Sequence, residues 1–406
     1  MAEAGLCEER TVIAGPGSRE TSEEIIMKMK AAILHEQGKA HPFTESKALS
    51  VEEVNLDPPG EGEVLIKTGA AGLCHSDLSM INGTMQRKLP MVPGHEAAGI
   101  VEEVGKNVTQ CKVGDHVVMS FVPICGQCEY CTSGRSNLCV TAFNARATGA
   151  LINGERRLSL NGGTLHHTNG VSCYAEYMVA CEDSIIVIDD DVPMVDAALF
   201  GCAVVTGVGA VVNTAKIPAG STIAVVGLGG VGLCALLGGI VAGAARIVAI
   251  DLADDKLGLA RQLGATDTFN ASDPDCVEKV VEATKGGVEY AFEVAGAVKA
   301  METAYAVTRR GGMTVTSGLS HHQESFQVPH AQLVVDERGI KGSYMGSCIV
   351  RQDVPKYIEL YKQGKLPVDK LRSGNIGLDG LNKGFDQLAA GNAVRQMLVM
   401  HDEFNC

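Results

Sequence analysis

The feature that most constrains the fold is a glycine-rich turn placed between two short apolar runs. The turn, from Gly227 to Gly232, has the pattern G-x-G-x-x-G and directly follows the apolar residues 223–226. Asp251 lies nineteen residues beyond Gly232, at the end of the next apolar run. This combination predicts a strand, a turn and a helix within a doubly wound parallel sheet that binds a dinucleotide. A carboxylate at this position suits the ribose hydroxyls of NAD and repels the 2′-phosphate of NADP, so NAD is the predicted cofactor.

The glycines of this turn have separate predicted tasks. Gly227 permits the turn, Gly229 lets the pyrophosphate approach the backbone, and Gly232 lets the helix pack closely on the strand. The same region holds 23 consecutive uncharged residues, 223–245, which is long enough to span a membrane. Seven glycines interrupt that run. We therefore predict a buried strand and helix there, and no membrane partner.

Two regions of different character follow from the pattern of apolar residues. Strand-like runs and helical stretches alternate over residues 204–343, including a helical stretch at 298–307 and a strand-like run at 313–317, which predicts a Rossmann domain. Residues 28–203 instead show short apolar runs separated by turn signals, which predicts an irregular β-domain. Four strands are expected there, at residues 30–34, 64–68, 99–104 and 116–121. Residues 1–27 are acidic and polar, without the apolar core of a signal peptide, and we predict a disordered extension.

Composition excludes some functions. A chain of 406 residues with 46% hydrophobic residues is long enough for two domains with full cores. The formal net charge of −14 argues against nucleic-acid binding, which requires basic patches. Of the 14 cysteines, six lie in settings typical of metal sites. That usage predicts a reducing, cytoplasmic location rather than a disulfide framework.

Four cysteines form the most specific metal motif. Cys125, Cys128, Cys131 and Cys139 have the spacing C-x2-C-x2-C-x7-C. Four thiolates at this spacing predict a closed structural zinc site. An iron–sulfur cluster is the alternative, because cysteines two residues apart also suit such clusters. No proline follows the last cysteine and nothing indicates electron transfer, so zinc is favoured.

Three other stretches carry groups that bind metals or orient metal ligands. They are Cys74-His75-Ser76-Asp77, Gly94-His95-Glu96 and Gly201-Cys202. A histidine beside a carboxylate, with cysteines elsewhere, is typical of a zinc site with a supporting carboxylate. Taken singly, each of these residues fits a buried core position equally well, since cysteine behaves as a small hydrophobe.

Taken together and in this order, the motifs resemble the zinc-dependent alcohol dehydrogenases of the medium-chain dehydrogenase/reductase family, in particular the liver-type branch with longer loops. The resemblance covers about residues 28–400. It implies an α/β chain with a GroES-like, β-rich catalytic domain over residues 28–203, including a structural zinc lobe, and a Rossmann domain over residues 204–343. It assigns residues 344–406 to the C-terminal part of the catalytic domain. It also implies a cytoplasmic homodimer.

The resemblance implies a second, catalytic zinc ion in addition to the structural one. The three ligands implied for it are Cys74, His95 and Cys202. They leave the fourth position for water or substrate. The residues implied to act around this zinc are His75, Ser76, Asp77 and Glu96. In the family, the carboxylate at Asp77 orients the ligand histidine, the hydroxyl at Ser76 takes the substrate proton, and the acid at Glu96 lies behind the zinc.

The resemblance also implies a cofactor site and a substrate pocket. The implied cofactor residues are His75, Thr206, Gly227, Gly229, Gly230, Val231, Gly232, Asp251, Lys256, Gly318 and Arg395. Among these, His75 and Arg395 match contacts to the pyrophosphate, and Lys256 matches a residue near the adenosine ribose. The implied substrate-pocket residues are Phe121, Thr168, Asn169 and Leu319.

The implied reaction is the NAD-dependent, reversible oxidation of a primary or secondary alcohol to an aldehyde or ketone, by hydride transfer from a zinc-bound alkoxide. A glutathione-dependent formaldehyde dehydrogenase is the alternative, although Phe143 stands where that branch has an arginine that holds glutathione. A non-catalytic zinc-binding protein is a third hypothesis. Ser79 stands where many relatives have a proton-relay histidine, so we expect the proton to leave through ordered water or His75.

Overall fold

The computed structural model describes residues 26–405. The predicted N-terminal extension, residues 1–27, therefore lies outside the described residues except at its end, where Met27 already begins the first strand. Among the described residues, no single helix has the length and apolar composition to cross a membrane. One pair, Met194–Gly201 with Ala203–Ala215, meets those criteria only when joined across a bend of 53°.

Nineteen strands and thirteen α-helices are present in the described part of the chain. The strands are β1 (Met27–Ile33), β2 (Ser50–Leu56), β3 (Glu63–Gly72), β4 (Met91–Val92), β5 (Ala97–Val104), β6 (His116–Met119), β7 (Leu158–Leu160), β8 (Gly163–Thr164), β9 (His166–His167), β10 (Tyr177–Cys181), β11 (Ile185–Ile188), β12 (Thr222–Val226), β13 (Arg246–Asp251), β14 (Asp267–Asn270), β15 (Val288–Glu293), β16 (Thr308–Thr316), β17 (Gly339–Gly342), β18 (Arg372–Ile376) and β19 (Arg395–Leu398). The helices are α1 (Phe43–Ser46), α2 (His75–Ile81), α3 (Glu129–Thr132), α4 (Val140–Thr148), α5 (Met194–Ala197), α6 (Ala203–Gly209), α7 (Gly230–Val241), α8 (Asp254–Leu263), α9 (Cys276–Ala283), α10 (Val298–Val307), α11 (His330–Val335), α12 (Val350–Lys362) and α13 (Leu381–Ala389).

The glycine-rich turn belongs to a six-stranded sheet with the order β14-β13-β12-β15-β16-β17. All five pairings in this sheet are parallel. Strand β12, the first of these six along the chain, lies in the middle of the sheet. Four of its five residues are buried, as expected of an apolar strand covered on both faces. The order is that of the doubly wound fold, in which ligands bind where the direction of winding reverses. The predicted Rossmann sheet is confirmed.

The β-rich part of the chain is built around a second sheet of seven strands. Its main path is β11-β6-β5-β3-β19-β18, and β10 also pairs with β3. The C-terminal strand β19 pairs with β3 through Met397 opposite Gly72. The end of the chain therefore returns to the sheet that the N-terminal half begins. The β-rich domain predicted for this part of the chain is confirmed.

Several strands extend beyond their predicted bounds. The added residues have low strand propensity, but they pair with a neighbouring strand. The first strand begins at Met27, paired with Leu56, rather than at residue 30. Strand β16 begins at Thr308, five residues before the predicted start at 313, because Thr308 pairs with Val288 before a register shift. In contrast, the helix predicted at residues 298–307 has those bounds, since its helical spacing is regular.

Candidate active site and metal centres

The first cluster of metal-ligating side chains joins three separate segments of the chain. Cys74 precedes α2, His95 lies in the turn before β5, and Cys202 precedes α6. All three are buried, and one ligand atom from each lies within 4.8 Å of the others. The distance from Cys202 Sγ to His95 Nε2 is 3.6 Å. A sulfur and a nitrogen on one tetrahedral zinc ion are separated by about 3.6 Å, so these residues fit zinc.

The second cluster is the four-cysteine motif. One sulfur from each of Cys125, Cys128, Cys131 and Cys139 lies within 4.8 Å of the others. The sulfurs of Cys125 and Cys131 are 3.9 Å apart, close to the roughly 3.8 Å expected for two thiolates on a tetrahedral zinc. No fifth side chain from the described residues belongs to this group, as expected for a closed structural site.

The ligand histidine is held by a buried chain of hydrogen bonds. His95 Nδ1 lies 3.0 Å from Asp77 Oδ1, and Tyr174 donates its hydroxyl to Asp77 Oδ2 at 2.8 Å. Burial raises the pKa of Tyr174, and the negative charge of Asp77 raises it further, so the phenol remains a donor. This arrangement fixes the tautomer of His95, with Nε2 directed to the metal position. Asp77 is the carboxylate that the sequence motifs assigned to this histidine, whereas Tyr174 belongs to no such motif and was missed.

Glu96 lies behind the cluster, as predicted, and shares it with a buried arginine. Arg395 Nη1 is 3.4 Å from Glu96 Oε2 and donates to the backbone oxygen of Leu73 at 2.9 Å. Neither Glu96 oxygen has a hydrogen-bond partner among the described residues. Burial raises the pKa of Glu96 to about 7, partly opposed by Arg395.

The glycine turn has the shape that a dinucleotide requires. Gly227 has φ +95°, and a Cβ added at Gly232 would collide with the backbone oxygen of Gly227. Gly229 precedes α7, and a Cβ placed there would meet no atom within 4 Å. The open backbone at the start of this twelve-residue helix is suited to bind a pyrophosphate. These residues fit the nucleotide.

Asp251 is fixed beside this turn. Its Oδ2 accepts a hydrogen bond from the backbone nitrogen of Leu228 at 2.5 Å, and its Oδ1 accepts from Ala253 at 3.0 Å. The carboxylate is half-buried at the end of β13. Each carboxylate oxygen has a further lone pair for a ligand hydroxyl.

Positive charges surround the same turn. The guanidinium of Arg395 lies against Gly230, where an added Cβ would collide with it. Desolvation lowers the pKa of His75, and the positive charges of Arg395 and Lys256 lower it further, while the charge of Cys74 opposes them. Arg395, one of the predicted pyrophosphate contacts, therefore lies at the turn.

The remaining cofactor positions pack around the turn. Helices α6 and α7 are in close contact, since a Cβ added at Gly207 would collide with the Val231 oxygen, and Thr206 lies next to that contact. Gly318 follows β16 and approaches the backbone nitrogen of Gly296.

A residue that sequence reasoning missed holds this corner together. The buried carboxylate of Glu293 accepts hydrogen bonds from Ala295, Gly296 and the hydroxyl of Thr316 at 2.9, 2.7 and 2.6 Å. The sequence pattern that could have identified Glu293 is an acidic residue at the end of an apolar run.

The four predicted pocket residues have different surroundings. The ring of Phe121 packs edge-on against His95, with centroids 5.2 Å apart. The hydroxyl of Thr168 is buried and donates to the Val92 oxygen at 2.8 Å. The Asn169 side-chain oxygen is buried without a partner among the described residues. Leu319 is 59% exposed and lines a cavity of about 410 Å³.

That cavity is lined from both parts of the chain. Its lining residues are Ser79, Thr84, Met85, Gln86, Leu319, Ser320 and His322. Ser79 follows Ser76 by one turn of α2, and Ser76 is half-buried in the first turn, two residues after Cys74. Ser76 is the predicted proton acceptor, and Ser79 stands where many relatives have a proton-relay histidine. Both therefore lie on α2, the helix that leads from the metal cluster to the cavity.

Comparisons with known proteins agree with this geometry. Residues 60–190 match the family description "Alcohol dehydrogenase GroES-like domain" and residues 230–363 match "Zinc-binding dehydrogenase". A crystal structure of benzyl alcohol dehydrogenase from Acinetobacter calcoaceticus is 31% identical, with a TM-score of 0.86, covering 92% of this chain and all of that one. An alcohol dehydrogenase zinc-binding domain protein from Burkholderia ambifaria is 30% identical, with a TM-score of 0.87, covering 93% of this chain and 100% of that one. A putative zinc-binding dehydrogenase from Sinorhizobium meliloti 1021, bound to NADP, is 26% identical, with a TM-score of 0.75 and coverage of 92% and 99%.

The two sheets, the glycine turn and the two clusters define a nucleotide-dependent zinc oxidoreductase. The chain belongs to the zinc-dependent alcohol dehydrogenases of the medium-chain dehydrogenase/reductase family.

Proposed function

We propose that the protein is an NAD-dependent alcohol dehydrogenase that interconverts a primary or secondary alcohol and its aldehyde or ketone. The observation that carries this proposal is the buried cluster of Cys74, His95 and Cys202, which is adjacent to the glycine turn through Arg395. The three side chains would hold a catalytic zinc, and the four-cysteine lobe would hold a structural one. A bound zinc acts as a Lewis acid that lowers the pKa of an alcohol, and NAD accepts the hydride.

The residues of the chain prepare the site for this reaction. Asp77 and Tyr174 hold His95 in one tautomer and orientation. Phe121 covers the imidazole edge-on and gives the substrate an apolar wall. Ser76 can accept the substrate proton while donating its own. Its neighbour Ser79 has no group that titrates near neutral pH, so water in the adjoining cavity, or His75, would take the proton onward.

The choice of NAD over NADP rests on Asp251. Its carboxylate is fixed beside the glycine turn by two backbone hydrogen bonds, where it would bind the ribose diol of NAD and repel a 2′-phosphate. A like charge of this kind makes discrimination on the order of 10²-fold plausible. We expect Asp251→Gly to weaken NAD and to admit NADP. Measured kcat/KM values that are equal for the two cofactors in the unmodified enzyme contradict this proposal.

A panel of alcohols, assayed with NAD and with or without glutathione, tests the proposed activity. We expect primary or secondary alcohols to be oxidised without glutathione. Activity only with formaldehyde and glutathione supports the glutathione-dependent alternative instead. Cys202→Ala and His95→Ala should abolish turnover and leave NAD binding nearly intact, because neither residue belongs to the glycine turn. A variant that keeps most of its kcat contradicts the zinc assignment.

We further propose a homodimer formed through the β17 edge of the parallel sheet. Ile340 in β17 is 38% exposed, Val334 and Val335 at the end of the preceding helix α11 are 67% and 69% exposed, and β17 pairs only with β16 among the described strands. Joining two such edges would satisfy their free backbone groups. Light scattering should give twice the chain mass, and Ile340→Lys should shift it toward the monomer. A monomeric unmodified protein contradicts this interface.

A further inference from the structure

An aromatic wall leads away from the metal cluster toward an arginine. The ring of Phe121 packs edge-on against His95 at 5.2 Å and against Tyr344 at 6.3 Å. The Tyr344 hydroxyl accepts a hydrogen bond from Arg146 Nη1 at 2.9 Å. The Arg146 guanidinium also lies 5.0 Å from the ring centre of Phe143, the residue one turn earlier on α4. The wall therefore ends in a fixed positive charge.

A second arginine lies beside the cavity that adjoins α2. Arg87 Nη1 donates to the backbone oxygen of Gln86 at 2.9 Å, and its Nη2 lies 2.8 Å from the sulfur of Met85. Met85 and Gln86 both line the cavity of about 410 Å³ that also includes Ser79. Arg87 Nε is buried and has no hydrogen-bond partner among the described residues. Part of its donor capacity is therefore unused.

In the described part of the chain, neither of the two arginines has a carboxylate counter-ion, in contrast to three other buried or half-buried arginines. Arg157, Arg246 and Arg395 have carboxylate oxygens at 2.7, 2.7 and 3.4 Å. Among the described residues, neither Arg87 nor Arg146 has a carboxylate oxygen within the 4.0 Å that defines an ion pair. Burial lowers the pKa of Arg87 and the positive charge of Arg146 lowers it further, against smaller opposing effects of Tyr344 and Asp77.

Two half-buried like charges without a counter-ion are costly in a folded protein. The net charge of the chain is −14, so a shortage of acidic residues does not explain the arrangement. A negatively charged group on the substrate would compensate the two positive charges of Arg87 and Arg146.

We propose that the substrate is an alcohol with a carboxylate at the end remote from its hydroxyl, and that Arg87 and Arg146 bind this carboxylate. This proposal rests on the proposed alcohol dehydrogenase activity and specifies its substrate class. The hydroxyl would lie at the metal cluster, an apolar middle section along Phe121 and Tyr344, and the carboxylate at the two guanidinium groups. Arginine suits this task because its planar donors match the two oxygens of a carboxylate.

Matched pairs of charged and neutral alcohols test the proposal. One pair is 4-(hydroxymethyl)benzoate and its methyl ester, and a second set compares ω-hydroxycarboxylates of increasing chain length with 1-alkanols of the same length. We expect the unmodified enzyme to favour the carboxylate in at least one pair by on the order of 10- to 100-fold in kcat/KM, mainly through KM. A preference for the neutral partner in every pair overturns the proposal.

Arginine variants locate the effect. Arg146→Gln and Arg87→Gln should each lower the ratio of kcat/KM for the carboxylate to that for its neutral partner by about tenfold or more. Arg146→Lys, which keeps the charge, should recover part of the ratio. Arg261→Gln, which removes an exposed arginine from the last turn of α8, is the matched control and should keep the ratio. Unchanged ratios in both glutamine variants overturn the proposal.

The outcome is separable from the proposed function itself. If neutral alcohols are oxidised and the carboxylates are not preferred, the dehydrogenase activity stands and only the substrate class is wrong. If no alcohol of either kind reduces the cofactor, the proposed function is wrong. Because the ratio compares two substrates on the same variant, a loss of folded protein or zinc cancels.

Discussion

Replacing Tyr174 with phenylalanine removes one buried oxygen atom from behind the catalytic cluster. Tyr174 is fully buried, and its hydroxyl donates to Asp77 Oδ2 at 2.8 Å. That oxygen has no other hydrogen-bond donor among the described residues, while Oδ1 serves His95 at 3.0 Å and the Gly94 nitrogen at 3.3 Å. The variant leaves half of a buried carboxylate without a partner.

The magnitude follows from these contacts. A hydrogen bond to a charged group contributes about 1.5–3 kcal/mol, and leaving the buried partner unsatisfied places the loss toward the upper end. Because Asp77 orients the ligand His95, part of this loss should appear as weaker zinc binding. Loss of such an outer partner typically costs about 10- to 100-fold in metal affinity or activity. Tyr174→Phe should therefore weaken the catalytic zinc by about tenfold or more and lower kcat, with a smaller effect on KM for NAD.

The assay is a chelator titration with zinc measured per chain. We expect two zinc ions per chain at the start, and loss of the catalytic zinc at a lower chelator concentration in the variant. The structural zinc serves as an internal reference, because the hydroxyl of Tyr174 bonds to Asp77 and to the backbone of Gly72, and not to any of the four cysteines. Tyr177→Phe makes the same chemical change three residues later on β10, where the half-buried ring packs against His401, and should behave like the unmodified protein.

A purely structural role for Tyr174 predicts a different result. In that case the melting temperature falls, but the chelator concentration that removes the catalytic zinc does not change relative to the structural site. Unchanged catalytic-zinc affinity and unchanged kcat in Tyr174→Phe would refute the reasoning.

Two further predictions concern protons. Ser76→Ala should lower kcat on the order of 10²-fold, as loss of a proton-transfer group does, and an unchanged profile of kcat against pH shows that the proton leaves by another route. Burial, with nearby Arg156, lowers the pKa of His167 to about 3, and its Nε2 accepts from the Arg157 nitrogen at 3.1 Å. Between pH 6.5 and about 3, the unfolded state therefore binds a proton that the folded state excludes, so stability falls as pH falls, by about 1.4 kcal/mol per pH unit. Denaturant unfolding measures how far the free energy of unfolding falls between pH 7.0 and pH 5.0. This fall should be about 2 kcal/mol smaller in His167→Gln than in the unmodified protein, and equal falls contradict the assignment.

The parts of the site that could be predicted from the sequence are those whose residues lie close together along the chain at a characteristic spacing. The four cysteines lie within fifteen consecutive residues, and the glycine turn with Asp251 within twenty-five. Each of these sets is placed by a short run of consecutive elements, so spacing along the chain is sufficient to predict it. The bounds of α10 followed in the same way, from a regular helical repeat over residues 298–307.

The parts that sequence could not predict depend on packing between distant segments. The hydrogen bond from Tyr174 to Asp77 spans 97 positions, and that from Arg146 to Tyr344 spans 198. Neither pair lies in a motif with a fixed spacing. The same applies to the early start of β16, where pairing of Thr308 with Val288 overrides a run of arginines and glycines.

Arg395 shows why the return of the chain to its first sheet has a functional consequence. It begins β19, and the pairing of that strand with β3 carries it to the end of the strand that precedes Cys74. From there its guanidinium reaches Glu96 on the metal side and Gly230 on the cofactor side. A buried arginine must keep an anionic partner, so its charge ties the acid behind the metal to the binding place of the pyrophosphate. The cofactor turn and the metal cluster belong to different sheets, and this one side chain, from the last strand, makes them parts of a single electrostatic unit.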